Sequence, residues 1–520
     1  MYLVQSLRRA AQVSPEGLVT VSGERRRSYA ELEARVARLA GALRGMQPEA
    51  GSRVAILAAN SDRYVELYHA LPWAGVVAVP LNHRWSRAEL AYALRDSGAG
   101  LLILDHALLD EGLALRDDLP QLRHLVVMQD GPCDPLPGEV FDYETLVAST
   151  PAIEPVRRDP GAPYGIFYTG GTTGEPKGVL LSTHGLWHNV MLLQREFDFR
   201  RGDALVLALP LFHLAAGANL LALVGAAGCA VILPGFEAGA VLATLARERA
   251  QHLALVPTML RALIDHPDFA GTDISSLRRI NYGAAPMTPA LLARLRAALP
   301  KVELVQAFGQ TEMSPVVSIL PPDCHVGDDP HGRLGSVGQA VAGTELRIID
   351  REGRELPRGT VGEIAARGPG NMLEYWNKPE QTAATLVDGW VRMGDAGFLD
   401  ADGYLHLVDR VKDMIISGGE NVYSIEVERA LASHPAVSAC AVIGVPDAQW
   451  GERVHAVVVP REGMAPTLAE LREHCRVAIA GYKCPRSLEL VAALPLSAAG
   501  KVLKTELRRP HWAEHGKGIA

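Results

Sequence analysis

Tyr168-Thr-Gly-Gly-Thr-Thr-Gly-Glu-Pro-Lys-Gly178 is the stretch on which the reading of this chain turns. Its glycines and threonines, Thr169, Gly170, Gly171, Thr172, Thr173 and Gly174, expose backbone N–H groups and hydroxyls, and Lys177 closes the run. Such a loop suits phosphate oxygens, which take up oriented N–H donors and a neighbouring cation. It is not a Walker A loop, because Pro176 rather than glycine precedes Lys177 and Gly178 rather than serine or threonine follows it. The same composition enriches plain surface turns, so this run alone leaves both readings open.

Outward from the loop, toward the N-terminus, helix and strand signals alternate. Ser28-Tyr-Ala-Glu31 has capping-box spacing, and Leu32, Val36, Leu39 and Leu43 then fall on one helical face. Val54–Leu57, Val76–Leu81 and Leu101–Leu104 read as short buried strands, with helices from Asp62 to Leu71 and from Ser86-Arg-Ala-Glu89 onward. That alternation predicts a largely parallel sheet covered on both faces. It continues to about Leu320. After Gly335 the texture changes to short strands between Gly-, Pro- and Asp-rich turns, ending with Tyr404–Arg410. Beyond Lys412 lies a piece of roughly a hundred residues, the size of a small domain, with helix starts at Ser424 and at Thr467-Leu-Ala-Glu470.

The chain has 520 residues, 48% hydrophobic and 6% aromatic, with a formal net charge of -8, so neither a phosphate-backbone partner nor an anionic membrane surface is expected. Nucleic acid is set aside on that ground. The six cysteines (Cys133, Cys229, Cys324, Cys440, Cys475, Cys484) form no CxxC pair, which fits a reduced, cytoplasmic protein. Met1–Ala10 has no signal-peptide apolar core and Gly516–Ala520 carries no targeting signal, in line with that expectation. From Leu214 to Pro234 the one strongly polar side chain is Asn219, but Gly217, Gly225 and Gly228 interrupt the run. A buried helix followed by a strand is expected there rather than a membrane span.

Five further segments follow the phosphate-type loop in fixed order: Gly283-Ala284-Ala285-Pro286; Phe308-Gly309-Gln310-Thr311-Glu312; Gly389-Trp-Val-Arg-Met-Gly-Asp395; Asp409-Arg410-Val-Lys412 on to Asn421; and Pro495-Leu-Ser-Ala-Ala-Gly-Lys501. Together they resemble the adenylate-forming superfamily of acyl-CoA synthetases, peptide-synthetase adenylation domains and luciferases, and the resemblance spans almost the whole chain. It implies an α/β fold: a large N-terminal domain (1–410) of stacked α/β subdomains plus a small β-barrel-like subdomain, and a mobile α+β C-terminal domain (411–520).

The resemblance also implies the reaction and its residues. A carboxylate does not react with a thiol, because oxide is a very poor leaving group; attack on the α-phosphate of ATP converts that oxygen into AMP. At ~4 Å and an effective dielectric near 20, one opposing charge offsets about 4 kcal/mol of the repulsion between the acid and the triphosphate. A lysine and a metal ion at the phosphates are what this step requires. By resemblance Lys501 bridges the acid and the α-phosphate, Thr169 and Glu312 hold Mg²⁺, and Thr311 meets the α-phosphate. Phe308 stacks on adenine beside Gly283–Pro286, and Asp395 with Arg410 binds the ribose. Lys412 is the hinge, and Gly418 with Gly419 lines the channel for coenzyme A. His213 walls the acyl pocket. Departures are Gly170 in place of the usual serine, Met393 in place of threonine, and Phe308 in place of tyrosine.

The segment after His213, Leu214-Ala-Ala-Gly-Ala218 with Asn219 behind it, offers no cation for a second carboxylate and no acid for an ammonium group. A medium- or long-chain fatty acid is the favoured substrate, with an arylpropenoate of the coumarate or ferulate type as the alternative. ATP, Mg²⁺ and CoA are the expected cofactors, and a homodimer without stable membrane insertion the expected state. Transfer to a carrier-protein thiol stays open. A non-catalytic adenylate sensor is disfavoured by the intact Lys501, Glu312, Lys412 and Lys177. His184 and His188 are spaced like metal ligands, but no acidic partner completes a zinc site.

Overall fold

The computed structural model describes residues 3–47, 49–130, 136–169, 176–285, 287–326, 329, 332–410, 413–417, 420–447, 449–496 and 502–512. Among these residues the strands form four sheets, of nine, eight, five and five strands. In the eight-stranded sheet, Arg53–Leu57 pairs in parallel with Val77–Pro80 and Leu101–Asp105, and Val77–Pro80 in turn with Pro163–Thr169. The hairpin of Pro163–Thr169 with Lys177–Ser182 then turns the edge antiparallel. The nine-stranded sheet is parallel through Leu18–Ser22, Cys229–Ile232, Ala204–Leu207, His252–Leu255, Arg279–Gly283 and Glu303–Gly309. Strands such as Val54-Ala-Ile-Leu57 are apolar at every position because both faces are covered.

The helix boundaries follow local chemistry. Ser28, Ser86 and Thr467 each accept from the third residue of the helix they open, whose glutamate returns the bond, completing three capping boxes. The apolar run from Leu214 splits as expected into a helix, Leu214–Gly225, and a strand, Cys229–Ile232. Among the described residues no helix is long and apolar enough to cross a membrane.

Beyond these layers a five-stranded antiparallel sheet includes Glu345–Ile349, Gly362–Arg367, Trp390–Leu399 and Leu405–Arg410. Met393 is buried in its core with Met313, Val317 and Leu405, which is the packing that the methionine at this departure from the motif supplies. The last sheet pairs Val437–Asp447 with Gly451–Pro460, adds Ser487–Leu490 in parallel, and is covered by the helices Ser424–Ala432, Leu468–Ala478 and Lys504–Trp512.

Candidate active site

Of the residues singled out by sequence, Thr169, Lys177, Gly283, Phe308 and Gly309 lie at strand ends of the two large sheets. Thr169 and Lys177 face each other in register at the open end of the Pro163–Thr169 and Lys177–Ser182 hairpin, so the phosphate-type loop begins and ends at one point. The Thr169 hydroxyl donates to the Lys177 carbonyl at 3.4 Å. Tyr168 fixes this mouth: its phenol donates to Asp96 at 2.7 Å and to the Ala93 carbonyl at 3.2 Å. Gly170, Gly171, Thr172, Thr173 and Gly174 themselves lie outside the described residues, as do Pro286, Lys412, Gly418, Gly419 and Lys501 and the side chain of Arg410.

The adenine-type turn and the Phe308 segment lie on adjacent parallel strands, with Gly283 opposite Ala307. A Cβ on Gly283 would sit 2.2 Å from the Ala307 carbonyl oxygen, so only glycine fits. Ala284 follows with φ +63°, turning the chain away from the sheet edge. Gly309 is constrained in the same way: its Cβ would lie 2.0 Å from the Pro315 carbonyl oxygen, where the chain doubles back. Phe308 is half-buried against the Met313 and Met393 core.

Between Gly309 and Pro315 the short helical turn Thr311–Met313 carries Glu312. Three contacts hold that turn from outside. The Asn189 amide donates to the carbonyl of Val316 at 3.1 Å, the Ser314 hydroxyl donates to Gly370 at 2.8 Å, and the Met372 N–H donates to the Glu312 carbonyl at 2.8 Å. Glu312 is 8% exposed, and its Oε1 accepts the Tyr375 phenol at 2.7 Å. Burial first, and the Glu312 charge second, push the Tyr375 phenol well above its ordinary range, so it remains a donor. Lys177 Nζ stands 5.0 Å from the centre of the same ring. Lysine and glutamate thus meet the same tyrosine, the cation at its ring and the carboxylate at its hydroxyl. A carboxylate has about four lone-pair sites and the phenol takes one, so Glu312 keeps capacity for a hard cation. Tyr375 is a residue the motif reading missed; nothing in the spacing of Met372-Leu-Glu-Tyr-Trp376 marks it.

Asp395 stands opposite Arg410 in the antiparallel register of Trp390–Leu399 with Leu405–Arg410, which brings the two ribose candidates to one rung. His213 occupies the position before the Leu214–Gly225 helix. Its loop is pinned by Asn60, which donates to the Leu209 and Leu233 carbonyls at 2.9 and 3.1 Å and accepts from the Leu211 N–H at 2.7 Å. The His213 ring packs on Phe212 at 4.4 Å, and Phe212 on His83 at 5.4 Å.

The helix that follows corrects the expected pocket lining. Of Leu214-Ala-Ala-Gly-Ala218 only Ala215 is exposed; the other four are buried. A Cβ on Gly217 would lie 2.2 Å from the Tyr68 hydroxyl, so that glycine serves helix packing. Asn219, one turn beyond Ala215, donates to the Ala215 carbonyl at 2.9 Å. Its Oδ1 is buried with no hydrogen-bond partner.

In the C-terminal region, Leu496 and Val502 pair as an antiparallel bridge, so the ends of the lysine loop are held together. Lys504 Nζ then meets Glu428 at 2.7 Å and the Ser424 hydroxyl at 2.5 Å, and Arg508 meets Asp413 at 2.8 Å.

Comparison with known proteins agrees with this arrangement. The model of AMP-binding enzymes matches residues 7–376, and that of the AMP-binding enzyme C-terminal domain matches residues 426–501. A feruloyl-CoA synthase from Amycolatopsis sp is 40% identical over 508 residues, covering 96% of this chain and 97% of that protein. A long-chain-fatty-acid–CoA ligase from Mycobacterium tuberculosis is 33% identical over 98% of each chain. Among solved structures, the amide bond synthetase of Marinactinospora thermotolerans superposes with a TM-score of 0.87 at 33% identity, covering 97% of this chain and 99% of that one. The chain belongs to the AMP-binding enzyme family, within the adenylate-forming superfamily, and is an adenylate-forming acid–thiol ligase.

Proposed function

We propose that the acid this ligase activates is a hydroxylated arylpropenoate of the ferulate or coumarate type, and that its acceptor thiol is that of CoA. The observation that carries this reading is the buried, unpartnered Oδ1 of Asn219. Asn219 and the exposed Ala215 share one helical face, and from His213 to Asn219 the helix rises about 9 Å. That distance accommodates a propenoyl arm and a ring. A phenolic O–H reaching the Asn219 oxygen would satisfy it, a gain of about 1–3 kcal/mol, whereas an alkyl tail would leave it unsatisfied, as it is in the unliganded protein. The rings of Phe212, His213 and His83, packed together just before the Leu214–Gly225 helix, suit a planar acid. The reading departs from the aliphatic preference of the sequence, and the 40% identity with a feruloyl-CoA synthase supports it.

The roles of the remaining residues follow from this reaction. Lys177 and the N–H groups of the 169–174 loop hold the triphosphate, and Thr311 orients the α-phosphate. Phe308 and Gly283–Pro286 bind adenine, and Asp395 with Arg410 the ribose. Glu312 and Thr169, both hard oxygen donors, fit Mg²⁺, which when bound would neutralise phosphate charge. The Tyr375 phenol, donating to Glu312 Oε1, holds the carboxylate in place. Lys501 brings the acid oxygen to the α-phosphate in one arrangement of residues 411–520, and rotation about Lys412 then opens the Gly418–Gly419 channel to the thiol.

The test is a panel of ferulate, coumarate, cinnamate and straight-chain acids with ATP, Mg²⁺ and CoA, scored for pyrophosphate and thioester. Ferulate and coumarate should exceed cinnamate in kcat/KM, and cinnamate should exceed every alkanoate. A rise with alkyl chain length overtaking the hydroxycinnamates would overturn the aromatic assignment, and thioester formed only with a holo-carrier protein would overturn the CoA assignment.

A further inference from the structure

A second group of chemistry-bearing side chains lies on the sheet of the C-terminal region, apart from the adenylate site. His455 sits on the Gly451–Pro460 strand, Glu489 on the parallel neighbour Ser487–Leu490, and His511 on the helix Lys504–Trp512. The parallel register sets His455 beside Ser487 and Val457 beside Glu489, so the alternating pleat turns His455 and Glu489 to one face. The helix is tied over that face: the Trp512 indole donates to the Gly444 carbonyl at 3.1 Å, and Arg508 reaches Asp413. The rings of His511 and His455 then lie 4.9 Å apart, tilted by 57°.

One nitrogen of each imidazole and one oxygen of Glu489 all fall within 4.8 Å of one another. His455 is 5% exposed. Its Nδ1 lies 2.7 Å from the Ser487 hydroxyl, which also accepts the Arg453 Nε–H at 3.2 Å. Its Nε2 is buried with no hydrogen-bond partner, and the nearest carboxylate oxygen, on Glu489, is 3.7 Å away, too far for a hydrogen bond. A buried ring nitrogen left in this state is uncommon in folded proteins and asks for an explanation. Serine holding Nδ1 while Nε2 points to an acid and a second imidazole is the outer-shell pattern that orients a metal-binding histidine.

We infer that His455, Glu489 and His511 form a binding site for a single divalent transition-metal ion, with Zn²⁺ the best match to the donor set. Two imidazoles and a carboxylate are a known three-ligand set for zinc, water taking the fourth position. With bonds of about 2.0–2.1 Å, tetrahedral ligands stand roughly 3.4 Å apart. The 3.7 Å between His455 and Glu489 is close to that, and Glu489, 52% exposed, can rotate to close the remainder. The ion fastens the last helix to the sheet. That helix starts just past the lysine loop, so the site sets the rigidity of the support on which Lys501 is carried. The inference is independent of the acid proposed above.

The test uses the full chain without an affinity tag, stripped of metal with a chelator and free of nucleotide. Zinc chloride is titrated in competition with a chromophoric chelator, in millimolar Mg²⁺. One equivalent should bind, and zinc should raise Tm. Glu489→Gln, at an exposed position, and His511→Ala, at a half-buried one, should fold normally and release pyrophosphate at the wild-type rate without zinc. Each should weaken binding at least tenfold and abolish the zinc-dependent rise in Tm. Absence of a stoichiometric site, or a zinc affinity indifferent to both substitutions, would overturn the inference.

Discussion

Two lysine–glutamate arrangements in this molecule use the same residue types to opposite ends. In the C-terminal region Lys504 touches Glu428 at 2.7 Å, with the two side chains 13% and 20% exposed. Burial opposes the charge on Lys504, but Glu428, Asp409 and Asp413 outweigh it and raise its pKa. Cation and carboxylate there saturate one another, and what they provide is cohesion between the helices Ser424–Ala432 and Lys504–Trp512. In the large domain Lys177 and Glu312 instead meet one tyrosine, Tyr375, the lysine at its ring and the carboxylate at its hydroxyl. Each remains able to receive a charge of its own, the lysine a phosphate and the carboxylate a cation. The difference teaches that a site is recognised less by its charged residues than by whether those residues are already paired with one another.

The largest expected effect breaks the closed pair. Lys504→Met removes the cation and leaves the Glu428 carboxylate buried, which should cost about 3–5 kcal/mol of stability in chemical denaturation. Burial already holds the Glu428 carboxyl above its ordinary range despite Lys504. Its folded pKa therefore exceeds its unfolded one, so the penalty is absent below the ordinary carboxylate range and grows as pH rises through the folded value. The variant should lose less stability at pH 5 than at pH 8. A pH-independent loss would show that Lys504 acts through packing alone. Adding Glu428→Leu should restore most of the stability, because a buried pair can be replaced by apolar groups at little cost.

Breaking the open arrangement should spare stability and damage rate. Glu312→Gln keeps an oxygen to accept from Tyr375 but removes the charge, so Tm should hold while pyrophosphate release falls about a hundredfold or more. A variant equally fast at saturating Mg²⁺ would take Glu312 out of the metal site. Tyr375→Phe is the finer probe. It keeps the ring beneath Lys177 and removes one charge-assisted hydrogen bond of about 1.5–3 kcal/mol. We expect kcat/KM for ATP to fall tenfold or more, with a raised Mg²⁺ requirement; an unchanged Mg²⁺ dependence would mark the phenol as structural.

Much of this architecture is legible in the sequence because its signals are local. Ser28, Ser86 and Thr467 announce their helices through a side chain three residues from its partner, and the glycines at 225 and 228 mark where the apolar run from Leu214 breaks. Motif order likewise locates Glu312, Gly283 and Asp395. Contacts made by tertiary packing are invisible at that level. Tyr375 reaches Glu312 only because a short strand, Glu374–Tyr375, pairs with Lys177–Ser182. His455, Glu489 and His511 meet only because a helix folds back over a sheet. The small residues after His213 mislead in the other direction. Four of the five face the core, since a helix turns about 100° per residue and only one of its faces can meet a channel.

The smallest expected effect concerns Asn219, a polar group left open like Glu312 but uncharged. Asn219→Leu fills the same volume and removes the unpaired acceptor. If Oδ1 receives a phenolic hydrogen, kcat/KM for coumarate should fall by about five- to tenfold, the worth of one neutral hydrogen bond, while cinnamate, which lacks the hydroxyl, should be unaffected or improve. The ratio of the two acids is the quantity to measure, because it cancels any general change in folding or in nucleotide affinity. Stability should rise slightly, since burying an unsatisfied amide oxygen is costly in the unliganded protein. An unchanged coumarate-to-cinnamate ratio together with a gain in Tm would mean that Asn219 is a packing compromise within the Leu214–Gly225 helix. The distinction between an open polar group kept for a ligand and one merely tolerated would then hold for Glu312 and fail here.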